Sequence, residues 1–242
     1  MANNIKLPLI VLAGGLGTRI KSVLGECPKA LAPIVDKPFL HLQIEQWLKQ
    51  GMTAFIFLLQ HNAEMIIEFL RNESNGLLKN CQVKYIVEPV PMGTGGAVSF
   101  ALKQLEFEGD FILTNADTWL SSGVSQVADA VSPSILAVKV KNVGRYGELR
   151  FDQQLTVTDF CEKSANLNSG WINAGVSHLN SRFFSQWDGK PFSIETVLYP
   201  RLVEKGMLKA LPLELNFIDI GVPQDYQRFC SWVSSGKLGE IN

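Results

Sequence analysis

Through the first half of the chain, short continuous apolar runs alternate with stretches in which apolar residues return every three or four positions. Pro8-Leu9-Ile10-Val11-Leu12-Ala13 has the length of a buried strand. Leu40, Ile44, Trp47 and Leu48 fall on one helical face, and Gly51 is placed to end that helix. The alternation continues with a strand over 54–60, a helix over 63–72 carrying Met65, Ile66 and Phe69, and a strand over 82–87. A helix over 94–105 and a strand over 110–114 complete it. Strands separated by helices predict a parallel sheet covered on both faces.

The pattern then changes. Segments 134–140, 148–151, 155–161 and 171–179 read as strands joined by short turns, which predicts an antiparallel annex lying over the sheet. Helices over 194–205 and 224–233 close the chain. No linker, repeat or low-complexity stretch interrupts residues 1–242, so the expectation is a single α/β domain: a Rossmann-like mixed, mostly parallel sheet with flanking helices and a small antiparallel annex.

The first strand runs into Leu12-Ala13-Gly14-Gly15-Leu16-Gly17-Thr18-Arg19, with Pro28-Lys29 following. Glycines in such a turn let backbone N–H groups approach an anion without interference from a β-carbon. Arg19 and Lys29 then supply positive charge for phosphate oxygens, which points to a triphosphate site. Two better-known glycine loops do not fit. Ile20 stands where the dinucleotide fingerprint has its third glycine, which also opposes a nicotinamide enzyme, and no Gly-Lys-Ser/Thr of a P-loop occurs. A plain strand-to-helix turn would explain the glycines but not the two cations.

Asn115-Ala116-Asp117 lies just past the end of a predicted strand, where open α/β sheets place ligands, and Asp219 repeats the pattern after the apolar Phe217-Ile218. A single such aspartate reads equally well as a helix cap; two supply the hard oxygen donors that Mg2+ takes alongside phosphates. Residues 91–97 combine a proline bend with three glycines, so Pro91, Gly93 and Thr94 are candidates for packing backbone against a flat base.

Composition narrows the partners. With 46% hydrophobic residues the chain can bury a core, and a net charge of −1 with scattered Lys and Arg gives no basic field for nucleic acid. No apolar stretch approaches membrane-spanning length, and residues 1–6 are too polar for a secretory signal, so no membrane partner and a cytoplasmic location are expected. Cys27, Cys81, Cys161 and Cys230 form no C-x-x-C pair and read as reduced packing or loop thiols. His41, His61 and His178 have no metal-ligand spacing.

The glycine loop resembles the signature of the sugar-1-phosphate nucleotidylyltransferases, or NDP-sugar pyrophosphorylases. Glu88-Pro89 through Ala97, Asn115-Ala116-Asp117, Arg145-Tyr146-Gly147, Glu162-Lys163, Asn173-Ala174-Gly175 and residues 217–223 resemble the same family in the same order. The Arg-Tyr-Gly loop and the Ile-Asp-Ile-Gly-Val-Pro ending look most like its D-glycero-D-manno-heptose 1-phosphate guanylyltransferases. Ala30 and Ala116 depart from the usual proline and glycine without removing a charge.

The resemblance implies a nucleotide-binding half over 1–140 and a sugar-phosphate-binding half over 141–242. It implies catalytic roles for Arg19, Lys29 and Lys163, nucleotide contacts along Leu12, Ala13, Gly14, Gly15, Gly17 and Thr18, and metal binding by Asp117 and Asp219. Glu88 would read the base. A carboxylate can accept from guanine N1–H and N2–H2 together, which favours GTP, whereas the alternative for Glu88 is a solvated turn residue. Tyr146, Gly147, Glu162, Lys163 and Asn173 would form the sugar-phosphate pocket.

The implied reaction joins GTP to a heptose 1-phosphate with Mg2+ as cofactor, for cell-surface polysaccharide synthesis, and homo-oligomer formation is left open. Mannose 1-phosphate guanylyl transfer or hexose 1-phosphate uridylyl or thymidylyl transfer are the neighbouring readings. A non-catalytic nucleotide-sugar-binding regulator is the reading from another class, opposed by the joint presence of Arg19, Lys29, Asp117, Lys163 and Asp219.

Overall fold

The computed structural model describes residues 7–161 and 168–236. In chain order the strands are β1 (Leu9–Leu12), β2 (Pro33–Ile34), β3 (Lys37–Pro38), β4 (Ala54–Leu59), β5 (Gln82–Val87), β6 (Asp110–Asn115), β7 (Thr118–Leu120), β8 (Ser134–Val140), β9 (Glu148–Phe151), β10 (Val157–Cys161), β11 (Gly170–Asn180), β12 (Lys209–Leu213) and β13 (Phe217–Asp219). The α-helices are α1 (Lys21–Leu24), α2 (Phe39–Lys49), α3 (Ala63–Glu73), α4 (Gly93–Gln104), α5 (Val124–Asp129), α6 (Tyr199–Glu204) and α7 (Pro223–Ser234). The fold class is α/β, a mixed sheet with flanking helices and small antiparallel sheets.

Two compact units divide the chain. The first takes Met1–Val90, Asn115–Ser125 and Asn216–Asn242. In it β1, β4 and β5 lie parallel, with Val11 opposite Phe57 and Phe57 opposite Tyr85. The apolar run of β4 is buried on both faces, as a central parallel strand requires. Polar and charged residues are confined to β5, whose Gln82 and Lys84 are exposed. Helix α2 buries Phe39, Leu40, Leu42, Gln43, Ile44 and Trp47, wider than the single face its periodicity predicts.

The same unit holds the short antiparallel pair β7–β13, in which Thr118 faces Asp219 and Trp119 faces Ile218. Beneath it Ala32, Ile34, Phe39, Leu42, Trp119, Ile218, Ile220 and Phe229 form one core cluster. Phe229 of α7 meets Phe39 edge-on at 5.1 Å and Trp119 at 5.4 Å. Pro223 opens α7 at a position where its missing N–H costs nothing.

The second unit takes Pro91–Thr114 and Gln126–Leu215. Its strands β8, β9, β10 and β11 are the predicted antiparallel set, and they pair with β6 in one sheet of this unit. The reason is the length of β11: its C-terminal half pairs with β6 and its N-terminal half with β8 and β9, with a register shift between Asn173 and Ser177. β12 then adds to β8 in parallel. Strand β10 begins at Val157 and not at Leu155, because Leu155 sits in the left-handed region at φ 59° and turns the chain.

The predicted helix over 194–205 is a single π-helical turn, Ile194–Leu198, running into α6. Pro200 has no N–H to donate to the preceding turn, so a regular ladder cannot pass through it. Among the described residues no helix is long and apolar enough to cross a membrane.

Phe229→Ala should destabilise the protein by about 3–5 kcal/mol, measured by urea denaturation, because it empties the centre of the aromatic cluster under β7–β13. A loss below about 1 kcal/mol would mean that the cluster does not carry the packing of this unit.

Candidate active site

Three parallel strands deliver their carboxyl ends to one place in the first unit. Ala13 N–H donates to Leu58 O at 2.9 Å, Glu88 N–H to Leu59 O at 2.8 Å, and Ala116 N–H to Leu12 O at 3.0 Å. Gly14 therefore stands against Gln60 and Glu88: a β-carbon on it would lie 3.0 Å from Gln60 Cβ and 3.2 Å from Glu88 Oε1. Glu88 is 8% exposed, so it is not a solvated turn residue. The other side of the loop is open, with Gly15, Thr18 and Arg19 exposed.

The predicted charges gather beside this loop. Lys29 Nζ and Asp117 Oδ2 form an ion pair, with the two side chains 13% and 29% exposed. Asp117 O accepts from Ile220 N–H at 3.0 Å, and Gly221 N–H donates to Asp219 Oδ1 at 2.7 Å. A β-carbon on Gly221 would sit 2.7 Å from Asp219 Oδ1 and 3.2 Å from Arg19 Nη2, so only glycine lets the chain pass between them. Arg19, Lys29, Asp117 and Asp219 thus form one cluster of two cations and two anions.

Strand alternation explains the placement. In Ile218-Asp219-Ile220 both isoleucines are fully buried in the core cluster, which turns the carboxylate to the opposite side. There the Asp219 carboxyl is held above the ordinary carboxylate range, first by burial and then by the negative charge of Asp117. Lys29, the Gly221 N–H and Arg19 partly offset this. Two hard carboxylate oxygens, one of them raised by the charge of the other, suit a small dication. Among the described residues no group of three or more His, Cys, Asp or Glu side chains is arranged to hold a metal.

A second set of residues carries no motif. Gln43, Gln46 and Gln50 project from α2 onto the segment that bears Asp117. Gln43 Nε2 donates to Thr118 O at 2.9 Å and Asn115 O at 3.3 Å, and Gln46 Nε2 donates to Ser121 O. Gln50 Oε1 accepts from Val124 N–H at 2.8 Å. Gln43 is 1% exposed, and the signal for it was a polar residue set between Leu40, Ile44 and Trp47 on an apolar helical face.

In the second unit Gly147 O accepts from Asn173 N–H at 2.8 Å, and Asn173 Oδ1 accepts from Gly175 N–H at 2.8 Å. The Arg145 guanidinium lies over the Tyr146 ring at 5.5 Å. Tyr146, Gly147 and Asn173 are thereby brought to one end of the strands. Glu162 and Lys163 lie outside the described residues. Pro91 and Gly93 are exposed, whereas the Thr94 hydroxyl donates to Glu195 Oε2 at 2.7 Å. Cys27, Cys81, Cys161 and Cys230 are all free thiols. His41 bridges Glu45 and Glu73, away from this cluster in role as well as partners.

The nucleotidyl transferase family matches residues 9–231. The D-glycero-alpha-D-manno-heptose 1-phosphate guanylyltransferase of Campylobacter jejuni is 37% identical over 222 residues, covering 91% of this chain and 97% of the relative. The protein of the same description from Aneurinibacillus thermoaerophilus is 32% identical over 225 residues, covering 90% and 95%. The crystal structure of HddC from Yersinia pseudotuberculosis complexed with GMP-PN superposes with a TM-score of 0.80 at 34% identity, covering 94% of this chain and 99% of that one.

The charge balance of the cluster can be tested without turnover. Lys29→Met leaves Asp117 and Asp219 repelling each other and should destabilise the metal-free protein by about 1–3 kcal/mol at pH 7. Asp219→Asn keeps the Gly221 bond and removes a charge that the fold disfavours, so it should raise stability at pH 7. Because the folded carboxyl is raised, this gain should vanish as the pH falls below the ordinary carboxylate range near about 4. A less stable Asn variant at pH 7, in urea denaturation, would contradict the electrostatic account.

Proposed function

The chain belongs to the nucleotidyl transferase family, and from that membership we propose that it transfers a guanylyl group from GTP to a D-glycero-D-manno-heptose 1-phosphate, releasing pyrophosphate. The observation that carries the reading is the cluster of Arg19, Lys29, Asp117 and Asp219 beside an open glycine loop. Relatives described as guanylyltransferases and the complex of HddC with GMP-PN support guanine as the base.

An oxygen of the sugar 1-phosphate attacks the α-phosphorus of GTP in line. A new P–O bond forms as the bond between the α-phosphorus and the oxygen bridging to the β-phosphorus breaks. The attacking phosphate is already anionic, so no Ser, His or Cys nucleophile is needed. What the protein must supply is positioning and neutralisation of two anions brought together.

In this reading the N–H groups of residues 14–18 cradle the triphosphate. Arg19 faces the charge that develops at the α-phosphate, and Lys29 exchanges Asp117 for a phosphate oxygen. Asp117 and Asp219 would hold Mg2+, which when bound supplies positive charge to the phosphates. Glu88, buried beside Gly14, accepts from guanine N1–H and N2–H2, and Pro91 and Gly93 are assigned to the base by resemblance alone. Tyr146, Gly147 and Asn173 are assigned to the sugar by resemblance. Glu162 and Lys163 are assigned to the sugar hydroxyls and the sugar phosphate by resemblance alone. The product is an activated heptose donor, which suits cytoplasmic supply to cell-surface polysaccharide synthesis.

Pyrophosphate release across GTP, ATP, CTP and UTP, with heptose, mannose and glucose 1-phosphates, tests the assignment. The highest kcat/KM is expected for GTP with the heptose 1-phosphate, and a preference for UTP or for glucose 1-phosphate would displace it. Arg19→Ala should lower kcat about 10²-fold with a smaller change in KM for GTP. A raised KM with kcat preserved would make Arg19 a ground-state clamp.

The base assignment has its own test. Glu88→Gln turns one acceptor into a donor facing an N–H, so the GTP-to-UTP ratio of kcat/KM should fall about 5- to 100-fold. An unmoved ratio would remove Glu88 from base reading.

A further inference from the structure

Helix α4 begins in the glycine-rich segment assigned to the nucleotide, and its first-turn N–H groups would ordinarily invite an anion. Here they are already used. Gly95 N–H and Gly96 N–H both donate to Phe192 O, at 2.9 and 3.3 Å, and Phe192 N–H donates back to Met92 O at 3.0 Å. A backbone carbonyl from the segment before the π-helical turn thus caps α4, which has no side-chain cap of its own.

The glycines follow from this contact. A β-carbon on Gly95 would lie 2.1 Å from the Phe192 ring. Gly93 is held at φ 70°, and a β-carbon there would lie 2.6 Å from Phe192 O, against backbone that cannot move aside. Packing against Phe192 therefore requires glycine at 93 and 95 whether or not a base is bound.

Side chains lock the same contact. Ile194 N–H donates to Thr94 Oγ1 at 2.9 Å, while the Thr94 hydroxyl donates to Glu195 Oε2 at 2.7 Å. Ser193 Oγ donates to the same Glu195 oxygen at 2.7 Å and accepts from Thr196 N–H at 3.2 Å. One carboxylate oxygen thus gathers two hydroxyls from two segments, and the Thr94 hydroxyl is engaged as both donor and acceptor.

We propose that Glu195 is a positioning residue for nucleotide transfer. Through Thr94 it holds the turn over residues 91–96 in the shape that receives the guanine ring, so that Thr94 acts as a link in this latch and Pro91 and Gly93 present the receiving surface. The inference rests on the reading of residues 91–94 as part of the nucleotide site. It assigns the α4 N-terminus to the latch and leaves phosphate to the loop over 14–18.

The experiment compares the full-length wild type with Glu195→Ala, Glu195→Gln, Thr94→Val, Thr94→Ser and the double variant Glu195→Ala with Thr94→Val. Loss of the charge-assisted Thr94–Glu195 hydrogen bond, common to both, predicts that Glu195→Ala and Thr94→Val each raise KM for GTP about tenfold, with KM for the sugar 1-phosphate and kcat changed less than about twofold. Amide hydrogen exchange over residues 92–97 should quicken by a similar factor, about tenfold. The double variant should lose clearly less than the product of the two single losses, because both side chains serve the Thr94–Glu195 bond while each keeps one further bond of its own. Thr94→Ser and Glu195→Gln keep the hydroxyl and an acceptor oxygen, and both should stay within about threefold of wild type.

Additive losses in the double variant, equal shifts in KM for both substrates, or unchanged exchange over 92–97 would overturn the proposal. So would a Gln variant as impaired as Ala, which would mean that Glu195 acts through its charge and not as a link. If the wild type releases no pyrophosphate from any nucleotide, the functional reading falls by itself, and the exchange data alone decide whether the latch exists.

Discussion

Asp219 is a carboxylate taken largely out of water and set beside a second carboxylate, and the first unit is built to bear that charge. Burial and Asp117 both disfavour the ionised form; Lys29, the Gly221 N–H and Arg19 favour it. Such a balance depends on all five groups keeping their places, because charge interactions fall with distance and are stronger where solvent is scarce. The fully buried Ile218 and Ile220 on either side of Asp219 anchor the strand in the aromatic core and deny it another register.

The backbone of Asp117 is fixed from two directions. Ile220 N–H reaches its carbonyl from one side, and Gln43 holds the carbonyls of Asn115 and Thr118 from the other. Gln46 and Gln50 extend the same grip towards α5. Three buried or half-buried amides on α2 and its C-cap thereby bond backbone groups of this segment that the β7–β13 ladder leaves over. Rigidity of this kind is what a reaction without a protein nucleophile needs, since its barrier is lowered by holding charges where they will be required.

The two glycine-rich segments, alike in composition, are put to different uses. Around Gly14 and Gly15 the missing side chains leave an open face beside Arg19 and admit Glu88 close to the backbone. Around Gly93 and Gly95 they make room for Phe192, and the helix N–H groups that might have met an anion meet its carbonyl instead. The two segments thus differ in whether protein atoms have already occupied the backbone donors.

Local periodicity was enough to read the alternating strands and helices of the first half, the antiparallel set, the closing helix α7 and the glycine loop with its two cations. It also marked Asp117 and Asp219 as strand-end carboxylates, because alternation within Ile218-Asp219-Ile220 is a property of neighbouring residues. Periodicity carries no information on which distant segments meet. Tertiary structure alone decided that β13 pairs with β7, so that Asp219 lies beside Asp117. It likewise decided that β11 is long enough to pair with β6, β8 and β9. Gln43, Ile194 and Glu195 bond to backbone or hydroxyls roughly 70 to 100 positions away. Hydrogen bonds of that span leave no pattern in the chain, because each end is an ordinary polar residue until the fold brings its partner within 3 Å.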